Sequence, residues 1–402
     1  MTRSPSTATL GAGAAPAPTG QGSGPVSPAP PARPVGRPRL VCGENDSPHR
    51  SRRHLRAWLW EHVHRQDHRV ATCGRFPISG EPIAVRRAPG GAHHVAGVQS
   101  CGSVWACPCC APKVRARRAQ ELDDALRAHL DTGGGALLVT VTLPHDRDEA
   151  LDAVWSRLGA CWTRLMAGRG PEQLRGFGWV GTVRSVEVTH GANGWHVHAH
   201  AVLFLTAPVD LVDQARLLLW LRGRWGRVTG AELDGHAVDV RVIEHPDAAV
   251  AAYVTGWSAG AELARGDVKR ARGGRSPMQL LTDAAEGDQG AWRAFREFLT
   301  ASKGKRAVVW SRGLRGRLLG DEDGPSDDQV AAETTPDAVV VAHIDPSAWR
   351  VLQRAGAVAH LVDHIEDHGT TGLRGVLEEW GLLRLRVDYR SGPDGAPIIR
   401  GG

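Results

Sequence analysis

Hydrophobic and polar residues are distributed along this chain in blocks that predict a mixed α and β fold. The run GALLVTVTLP at 135–144 is apolar and β-branched, and it predicts a buried strand. Two further runs, at 177–188 and 195–205, are separated by the turn sequence HGANG and predict a β-hairpin. Apolar residues at helical spacing predict an amphipathic helix over 147–167. We therefore expect an α+β domain whose central, mainly antiparallel sheet is flanked by helices.

The same patterns continue on both sides of this block. Before it, they predict a short helix at 54–66 and a basic helix that begins near Pro112 and ends at the glycines 133–135. After it, they predict helices at about 209–226, 247–264, 278–303, 346–367 and 371–382, strands at 237–243, 306–310 and 338–344, and one last strand near the C-terminus.

Composition divides the chain into five predicted segments. The first 45 residues are rich in Pro, Ala, Gly and Ser and have almost nothing to bury, which predicts a disordered tail. The acidic, polar stretch DEDGPSDD marks a linker. The predicted order is a tail at 1–45, a cysteine-containing segment with the basic helix at 46–134, a central domain at 135–315, a linker at 316–332 and a small C-terminal α/β module at 333–402.

Composition also limits the partners. Of the 402 residues, 42% are apolar and 23% are charged, which excludes wholesale disorder. No stretch approaches the roughly 18 consecutive apolar residues of a membrane span, and the first residues lack the apolar core of a secretory signal peptide. We therefore expect a cytoplasmic protein without a membrane partner. The net charge of +6 is compatible with a polyanionic partner but does not identify one.

Three histidines alternate along the strand predicted at 195–205. Because side chains two residues apart share one face of a strand, His196, His198 and His200 point the same way. Neighbouring imidazoles are then about 6–7 Å apart and can reach one metal ion. Glu187, on the preceding strand of the hairpin, is placed to add a carboxylate. Two histidines and a carboxylate leave positions open for water and substrate oxygens, as a catalytic metal requires.

Four of the seven cysteines lie within ten residues of one another. In a chain without a signal peptide, this spacing favours metal binding over disulfides. Cys107 and Cys110 form a C-x2-C pair, whose tight turn lets two thiolates hold one tetrahedral Zn²⁺. Cys101 and Cys73 are the natural third and fourth ligands, with the adjacent pair His93–His94 as the alternative to Cys73. We expect a structural zinc site at the start of the basic helix.

Tyrosine is scarce, and the chain has only Tyr253 and Tyr389. Tyr253 lies on the helix predicted after the last strand of the central sheet. A phenol with a pKa near 10 is a poor nucleophile until a metal polarises the group that it attacks. Taken alone, a core position on an amphipathic helix is the simpler interpretation of Tyr253.

Taken in order, these stretches resemble the HUH endonucleases, and more closely the rolling-circle replication initiator (Rep) proteins of plasmids from Gram-positive bacteria and actinomycetes. The matching stretches are SCGSVWACPCC (100–110), LLVTVTLP (137–144), VRSVEVTHGANGWHVHAHAVL (183–203), AAYVTGW (251–257), RSPMQLLTDAAEGDQGAWRAFREFL and KRAVVWSRGLR. The similarity spans about residues 70–315, and the ordered combination is more specific than any one motif.

The resemblance implies a fold like that of the HUH endonucleases and a mechanism. The metal ligands of the family fall on His198 and His200, with His196 in a preceding, more variable position and Glu187 where the family has a further candidate ligand. The ion, Mg²⁺ or Mn²⁺, polarises the scissile phosphate of single-stranded DNA at the plasmid origin. Tyr253 attacks in line, which leaves a 5′-phosphotyrosyl link and a free 3′-OH. Reversal of the same transesterification closes the displaced circle.

One departure from the family pattern lies three residues after the tyrosine. Family members usually carry a lysine there, and this chain has Gly256. Arg265 or Lys269 are the candidates to replace that charge, and a divergent or decayed enzyme is the alternative. The acid that activates water for termination is expected among Glu244, Asp247 and Glu262.

The expected DNA contacts are basic side chains that reach phosphates and tryptophans that stack on unpaired bases. For any one of them, a solvated charge or a core aromatic is the alternative. The candidates are Arg115, Arg117 and Arg118 on the basic helix, Arg222, Arg224 and Arg227, Lys269, Arg270 and Arg272, and Trp195 and Trp257.

The sequence-based hypothesis is thus a plasmid replication initiator that nicks and joins origin DNA, with a host helicase and polymerase as further partners. A transposase or relaxase with the same chemistry is the nearest rival. A zinc-containing DNA-binding repressor that has lost activity is the second. A metal-dependent hydrolase of small molecules is the third, although it assigns no role to Tyr253.

Overall fold

The structure is a computed structural model, and it describes residues 47–231, 237–244, 274–389 and 392–402. Helices and two five-stranded sheets make up these ranges, which confirms the α+β class. The strands are β1 (Ile83–Arg87), β2 (His93–Ala96), β3 (Gly135–Thr142), β4 (Trp179–Gly191), β5 (Gly194–Leu205), β6 (Val238–Val242), β7 (Val308–Trp310), β8 (Val339–Ile344), β9 (Leu385–Asp388) and β10 (Ile398–Gly401).

The helices are interspersed among these strands along the chain, and a short 3-10 helix, Arg69–Thr72, lies between the first helix and β1. They are α1 (Pro48–His62), α2 (Cys110–Asp131), α3 (Leu151–Leu165), α4 (Arg169–Gly176), α5 (Leu211–Thr229), α6 (Pro277–Ala285), α7 (Gln289–Ala301), α8 (Leu314–Leu319), α9 (Asp327–Ala332), α10 (Pro346–Arg354), α11 (Val358–His368) and α12 (Leu373–Glu379). None of the helices in the described ranges combines the length and apolar character that a membrane crossing requires.

The first sheet has the strand order β6-β3-β5-β4-β7, and every pairing in it is antiparallel. β4 and β5 form the hairpin that HGANG predicts, with Gly191 opposite Gly194. Gly194 has a φ of +79°, and a Cβ there would lie 2.2 Å from the carbonyl oxygen of Arg147. Glycine is therefore required both by the turn and by the close approach of the loop that follows β3.

The two faces of this sheet differ. On one face, Val139 and Val197 belong to the main hydrophobic core, which residues of α3, α5, α6 and α7 complete. On the opposite face, Val202 and Phe204 share a smaller core with Leu126 of α2. Successive strand residues point to opposite faces, so the alternation in the sequence accounts for both layers. The apolar part of the second face lies near Phe204, and the strands carry polar residues toward its other end.

The second sheet joins strands from both ends of the described chain, in the order β2-β1-β8-β10-β9. β1 pairs antiparallel with β8, and β8 pairs parallel with β10. Ile83 and Val85 of β1 share a core with Trp349 of α10 and Leu361 of α11. The sequence-based division places β1 and β8 in different segments, because β1 and β2 are too short to show a clear strand pattern. The C-terminal strands thus complete a sheet that β1 and β2 begin.

The stretch predicted as a linker packs against α2. Arg118 on α2 pairs with Asp327 at 2.7 Å and with Glu121 at 2.9 Å. Arg315 reaches Glu121 at 3.5 Å and Asp321 at 3.3 Å. Two acidic residues of this stretch, Asp321 and Asp327, are therefore partners of these two arginines, and the ion pair of Asp327 with Arg118 holds the stretch to the helix.

Candidate metal and nucleic-acid site

Rows of polar side chains cross the first sheet at the end away from Phe204. Directly paired residues of an antiparallel sheet share a face, so the register defines the members of each row. One row is Asp239, Thr140, His200 and Ser185, and the next is Thr142, His198 and Glu187. We use the name histidine face for the side chains of Thr140, Thr142, Glu187, His196, His198 and His200.

Two threonines hold the histidine rings. Thr142 Oγ1 lies 2.8 Å from Nδ1 of His198, and Thr140 Oγ1 lies 3.1 Å from Nδ1 of His200. A hydrogen bond at Nδ1 orients each ring and presents Nε2 on the ring's far side. These threonines are not among the ligands that the sequence motifs predict. The signal that identifies them is their period-two spacing in VTVT, which matches the spacing of the histidines.

Glu187 is the acid of the histidine face. Its Oε2 lies 2.9 Å from Nε2 of His200. The hydrogen bond with His200 lowers the pKa of Glu187, and the charge of Arg115 acts in the same direction. Burial lowers the pKa of His198 to about 4. At pH 7 the face therefore presents a carboxylate beside a neutral imidazole, and these are the forms that bind metal ions.

His196 lies at the exposed edge of the histidine face. Its ring centroid is 4.6 Å from that of His198, and its Nδ1 lies 2.5 Å from Nε2 of His145. His145 follows β3, in the loop that approaches Gly194. His145 is not predicted from the sequence, because no local pattern links this loop to the hairpin.

The structure brings the predicted ligands to one face in an open arrangement. The ring centroids of His198 and His200 are 6.2 Å apart, with an angle of 20° between the ring planes. Among the described residues, these side chains are not part of a group of three or more whose ligand atoms all lie within 4.8 Å of one another. Two imidazoles and a carboxylate in such an arrangement leave coordination positions for substrate oxygens.

The N-terminal half of α2 adds a positive charge near this face. Arg115 donates from Nε to the carbonyl oxygen of Val104 at 3.1 Å, and its guanidinium lies 5.4 Å from the ring centre of Trp105. Burial lowers the pKa of Arg115 to about 10, and the carboxylate of Glu187 opposes that shift. Arg115 is therefore still charged at pH 7, within electrostatic reach of the acid of the histidine face.

Several arginines that the sequence predicts as DNA contacts have partners inside the protein. Arg118 forms the ion pairs with acidic residues described above, and Arg117 lies 3.4 Å from Glu121. Arg224 donates to three carbonyl oxygens at and just after the end of α3. Phosphate binding by these side chains would require them to exchange or share such contacts. DNA binding by the arginines of α2 therefore stays a prediction.

The position of Trp195 differs from the prediction that this side chain stacks on unpaired bases. Its side chain is only 3% exposed, and its ring centroid lies 6.5 Å from that of Phe298 in the main core. The reason is strand alternation, since Trp195 and Val197 point to the face opposite the histidines. Trp195 is thus a core residue and does not offer an exposed surface for stacking on bases.

The predicted nucleophile and several other predicted residues lie outside the described residues. They are Tyr253, Gly256, Trp257, Arg265, Lys269, Arg270 and Arg272, together with Asp247 and Glu262. Their roles stay predictions. Glu244 is described, and it is exposed just after β6.

The four cysteines predicted to bind zinc form a buried group, which we call the cysteine cluster: Cys73, Cys101, Cys107 and Cys110. The sulfur of Cys73 lies 3.4 Å from that of Cys107 and 3.5 Å from that of Cys110. The sulfurs of Cys101 and Cys110 are 3.9 Å apart. Tetrahedral Zn²⁺ with Zn–S bonds of about 2.3 Å requires sulfur separations of about 3.8 Å. The cluster could therefore bind a metal ion such as zinc.

The surroundings of the cluster favour a bound cation. Backbone N–H groups of Cys110 and Ser103 donate to the sulfurs of Cys107 and Cys101, at 3.3 and 3.5 Å. Burial, together with the hydrogen bonds that its thiol donates to neighbouring cysteines, raises the pKa of Cys107 well above its usual value. Four sulfurs this close cannot all ionise without a compensating charge, and a divalent ion would supply that charge.

The other candidate ligands, Cys109 and the pair His93–His94, lie outside the cluster. The sulfur of Cys109 is not part of the group of four, and it donates to the carbonyl oxygen of Arg52 at 3.6 Å. The pair His93–His94 lies on β2, where the carbonyl oxygen of His93 accepts a hydrogen bond from Arg53. Of the alternatives for the fourth ligand, the structure brings Cys73 to the other three cysteines.

A sheet that carries alternating histidines beside an acid, together with a cysteine cluster, is the arrangement expected of the replication proteins that the sequence resembles. A family model described as "Replication protein" matches residues 93–354, which is more than half of the chain. The chain therefore belongs to this family. This confirms the identification of a plasmid replication protein of the Rep type. Membership of the HUH superfamily stays an expectation.

Comparison with individual proteins agrees with the family. The chain is 30% identical over 322 residues to a Streptomyces lividans protein named "Protein rep", a match that covers 62% of this chain and 70% of that protein. It is 32% identical over 149 residues to a Streptomyces cyanogenus protein named "Neomycin resistance protein", a match that covers 31% and 34% of the two chains. No solved structure gives a significant match. The comparisons thus support a role in plasmid replication and leave its chemistry to be proposed.

Proposed function

We propose that the protein initiates rolling-circle replication of a plasmid by nicking and rejoining one strand of the origin DNA. The observation that carries this proposal is the histidine face. In a chain of the Rep family, His198 and His200 share a strand face with Glu187, and Thr142 and Thr140 orient the two rings. A divalent ion held there, Mg²⁺ or Mn²⁺, would supply Lewis-acid polarisation of a phosphate oxygen.

The side chains of the proposed active site have different roles in this reaction. His198, His200 and Glu187 would hold the cation, and Arg115 adds a fixed positive charge that attracts the phosphate. The phenolic oxygen of Tyr253 attacks the scissile phosphorus, and the bond from phosphorus to the 3′ oxygen breaks. The leaving oxygen takes up a proton and becomes the 3′-OH that primes synthesis. Reversal of this exchange releases the tyrosine and rejoins the strand.

We assign a structural Zn²⁺ to the cysteine cluster. Its ligands follow the 3-10 helix, lie in the loop before α2 and begin α2 itself. An ion there would fix the start of α2, which carries Arg115. The cluster therefore supports the proposed active site without taking part in the reaction.

A DNA-binding repressor is the second candidate function, because Gly256 stands where family members usually carry lysine. Such a protein would bind the origin without cleaving it. A transposase or relaxase would cleave, but the match to a replication protein family favours initiation. A host helicase and polymerase are the further partners that an initiator requires.

The test is a gel assay of the purified protein with Mn²⁺ and end-labelled single-stranded oligonucleotides that tile the origin of the source plasmid. We expect a slow, protease-sensitive band that carries the label of the 3′ fragment. Tyr253→Phe abolishes this band, and Tyr389→Phe, which changes the other tyrosine, retains it. Binding without a covalent product on every tile, with Mn²⁺ and with Mg²⁺, would instead identify the repressor.

A further inference from the structure

A third group of potential metal ligands lies between α1 and α11. His54 of α1 faces His360 and Asp363 of α11, and one ligand atom from each residue lies within 4.8 Å of the other two. His54 Nε2 is 2.5 Å from Asp363 Oδ2, and the two imidazole centroids are 5.0 Å apart. His360 and Asp363 are three residues apart on one helix, which places both on the same side of it.

An arginine of α1 orients the carboxylate of this group. Arg53 donates to Asp363 Oδ1 from Nη2 at 2.6 Å and from Nε at 3.2 Å. Oδ2 is thereby turned toward His54. The same guanidinium binds Glu366 at 2.7 Å, so two carboxylates balance its charge. A positioned carboxylate behind or beside a ligating imidazole is a common support of metal sites.

We propose that His54, His360 and Asp363 bind a divalent transition-metal ion of the zinc class. Two imidazole nitrogens and one carboxylate oxygen are a donor set that zinc accepts, with water as the fourth ligand. Arg50 is paired with Asp367, and its Nε lies 3.7 Å from Asp363 Oδ1, the oxygen that Arg53 also binds. The ion joins α1 to α11 and is separate from the cysteine cluster and the histidine face.

The experiment is a measurement of zinc per chain on the untagged, full-length protein, after equilibration with micromolar zinc and gel filtration. We expect about two zinc ions per wild-type chain and about one in His360→Gln. The matched control is His364→Gln. His364 lies on the same helix, its ring centroid is 4.9 Å from that of His368, and it is outside the group. This variant keeps both ions.

Cobalt substitution separates the two sites, because only the cysteine cluster gives intense thiolate-to-metal absorption. His360→Gln retains that absorption at wild-type intensity and loses the weaker visible bands of the nitrogen and oxygen site. His54→Gln reports on the same site from the other helix, so a failure of His360→Gln to fold does not remove the test. One zinc per wild-type chain, or two in both variants, overturns the proposal. Loss of zinc in His364→Gln places the ion on the pair His364 and His368 and also overturns it.

Discussion

The cysteine cluster and the histidine face are candidate metal sites that this chain builds in opposite ways. The cluster consists of four buried sulfurs within 4.8 Å of one another. On the face, the side chain of Glu187 is 40% exposed and the centroids of His198 and His200 are 6.2 Å apart. Closed sets of four protein ligands are typical of structural zinc, and open sets of fewer ligands are typical of catalysis.

The two sites should also differ in whether the free energy of metal binding contributes to folding or to catalysis. Cys73 and Cys110 are 37 residues apart in the chain, so an ion between them ties separate segments together and contributes to folding. The ligands of the histidine face already lie on adjacent strands that hydrogen bonds hold together. An ion on that face is therefore expected to serve chemistry more than stability.

The largest expected effect is the loss of a cysteine-cluster ligand. Cys107→Ser should remove the zinc ion of the cluster, about one ion per chain, and lower the free energy of unfolding by about 5 kcal/mol. Zinc analysis and thermal unfolding measure the two losses together. Cys109→Ser is the control, because its sulfur lies outside the cluster. A Cys107→Ser protein that kept both its zinc and its stability would show that these sulfurs do not form the site.

The next largest effect concerns the histidine face. His200→Ala should reduce the rate of origin nicking at least about 100-fold, because one ligand of the catalytic ion is lost. Its zinc content should equal that of the wild type, in contrast to Cys107→Ser. A single-turnover nicking assay with Mn²⁺ measures the rate. An unchanged rate would move the catalytic ion away from this face.

The third prediction tests whether Thr142 positions the ring of His198. Thr142→Val removes the oxygen that bonds Nδ1 and should weaken the affinity for Mn²⁺ about 10-fold. Thr142→Ser keeps the hydroxyl and should restore the affinity. Isothermal titration with Mn²⁺ provides the comparison. Equal affinities for the valine and serine variants would mean that the hydroxyl has no part in orienting the ring.

The smallest effect is a dependence of stability on pH near the cysteine cluster. His68 begins the 3-10 helix before Cys73, and its Nδ1 accepts a hydrogen bond from the N–H of Val70 at 3.1 Å. Burial lowers the pKa of His68 to about 4 in the folded protein, below the unfolded value of about 6.5. Between these two values only the unfolded chain binds the proton. Stability should therefore fall with falling pH by about 1 kcal/mol per pH unit.

Urea unfolding at several pH values between 7 and 4 measures this slope. His68→Asn keeps an oxygen acceptor for the Val70 N–H and does not titrate, so its curve should be flatter by the same amount. Acid release of zinc affects both proteins equally and cancels in the comparison. Parallel curves for the two proteins would show that His68 does not carry the effect.

Local patterns predicted most elements of the central domain. The helix predicted at 147–167 is α3, Leu151–Leu165, and the strand predicted at 195–205 is β5, Gly194–Leu205. The helices predicted at 278–303 and 346–367 are each broken into two. The breaks contain Gly287 at φ +110° and Gly356 at φ +68°. Both glycines were visible in the sequence, but apolar periodicity continues across them and hides the interruption.

The sequence by itself determined which residues share a strand face and which lie in one tight turn. His198 and His200 point the same way because of the two-residue period of a strand, and Cys107 and Cys110 are close because only two residues separate them. Backbone geometry imposes these relations over a few residues, whatever the rest of the chain does.

Only the tertiary structure decided which distant segments meet. It brings Cys73, and not His93–His94, to the other cysteines, it places His145 beside His196, and it pairs β1 with β8. Such contacts depend on how the apolar faces of all the elements are buried together. The free energy of that burial depends on the whole chain, so no local sequence pattern predicts these contacts.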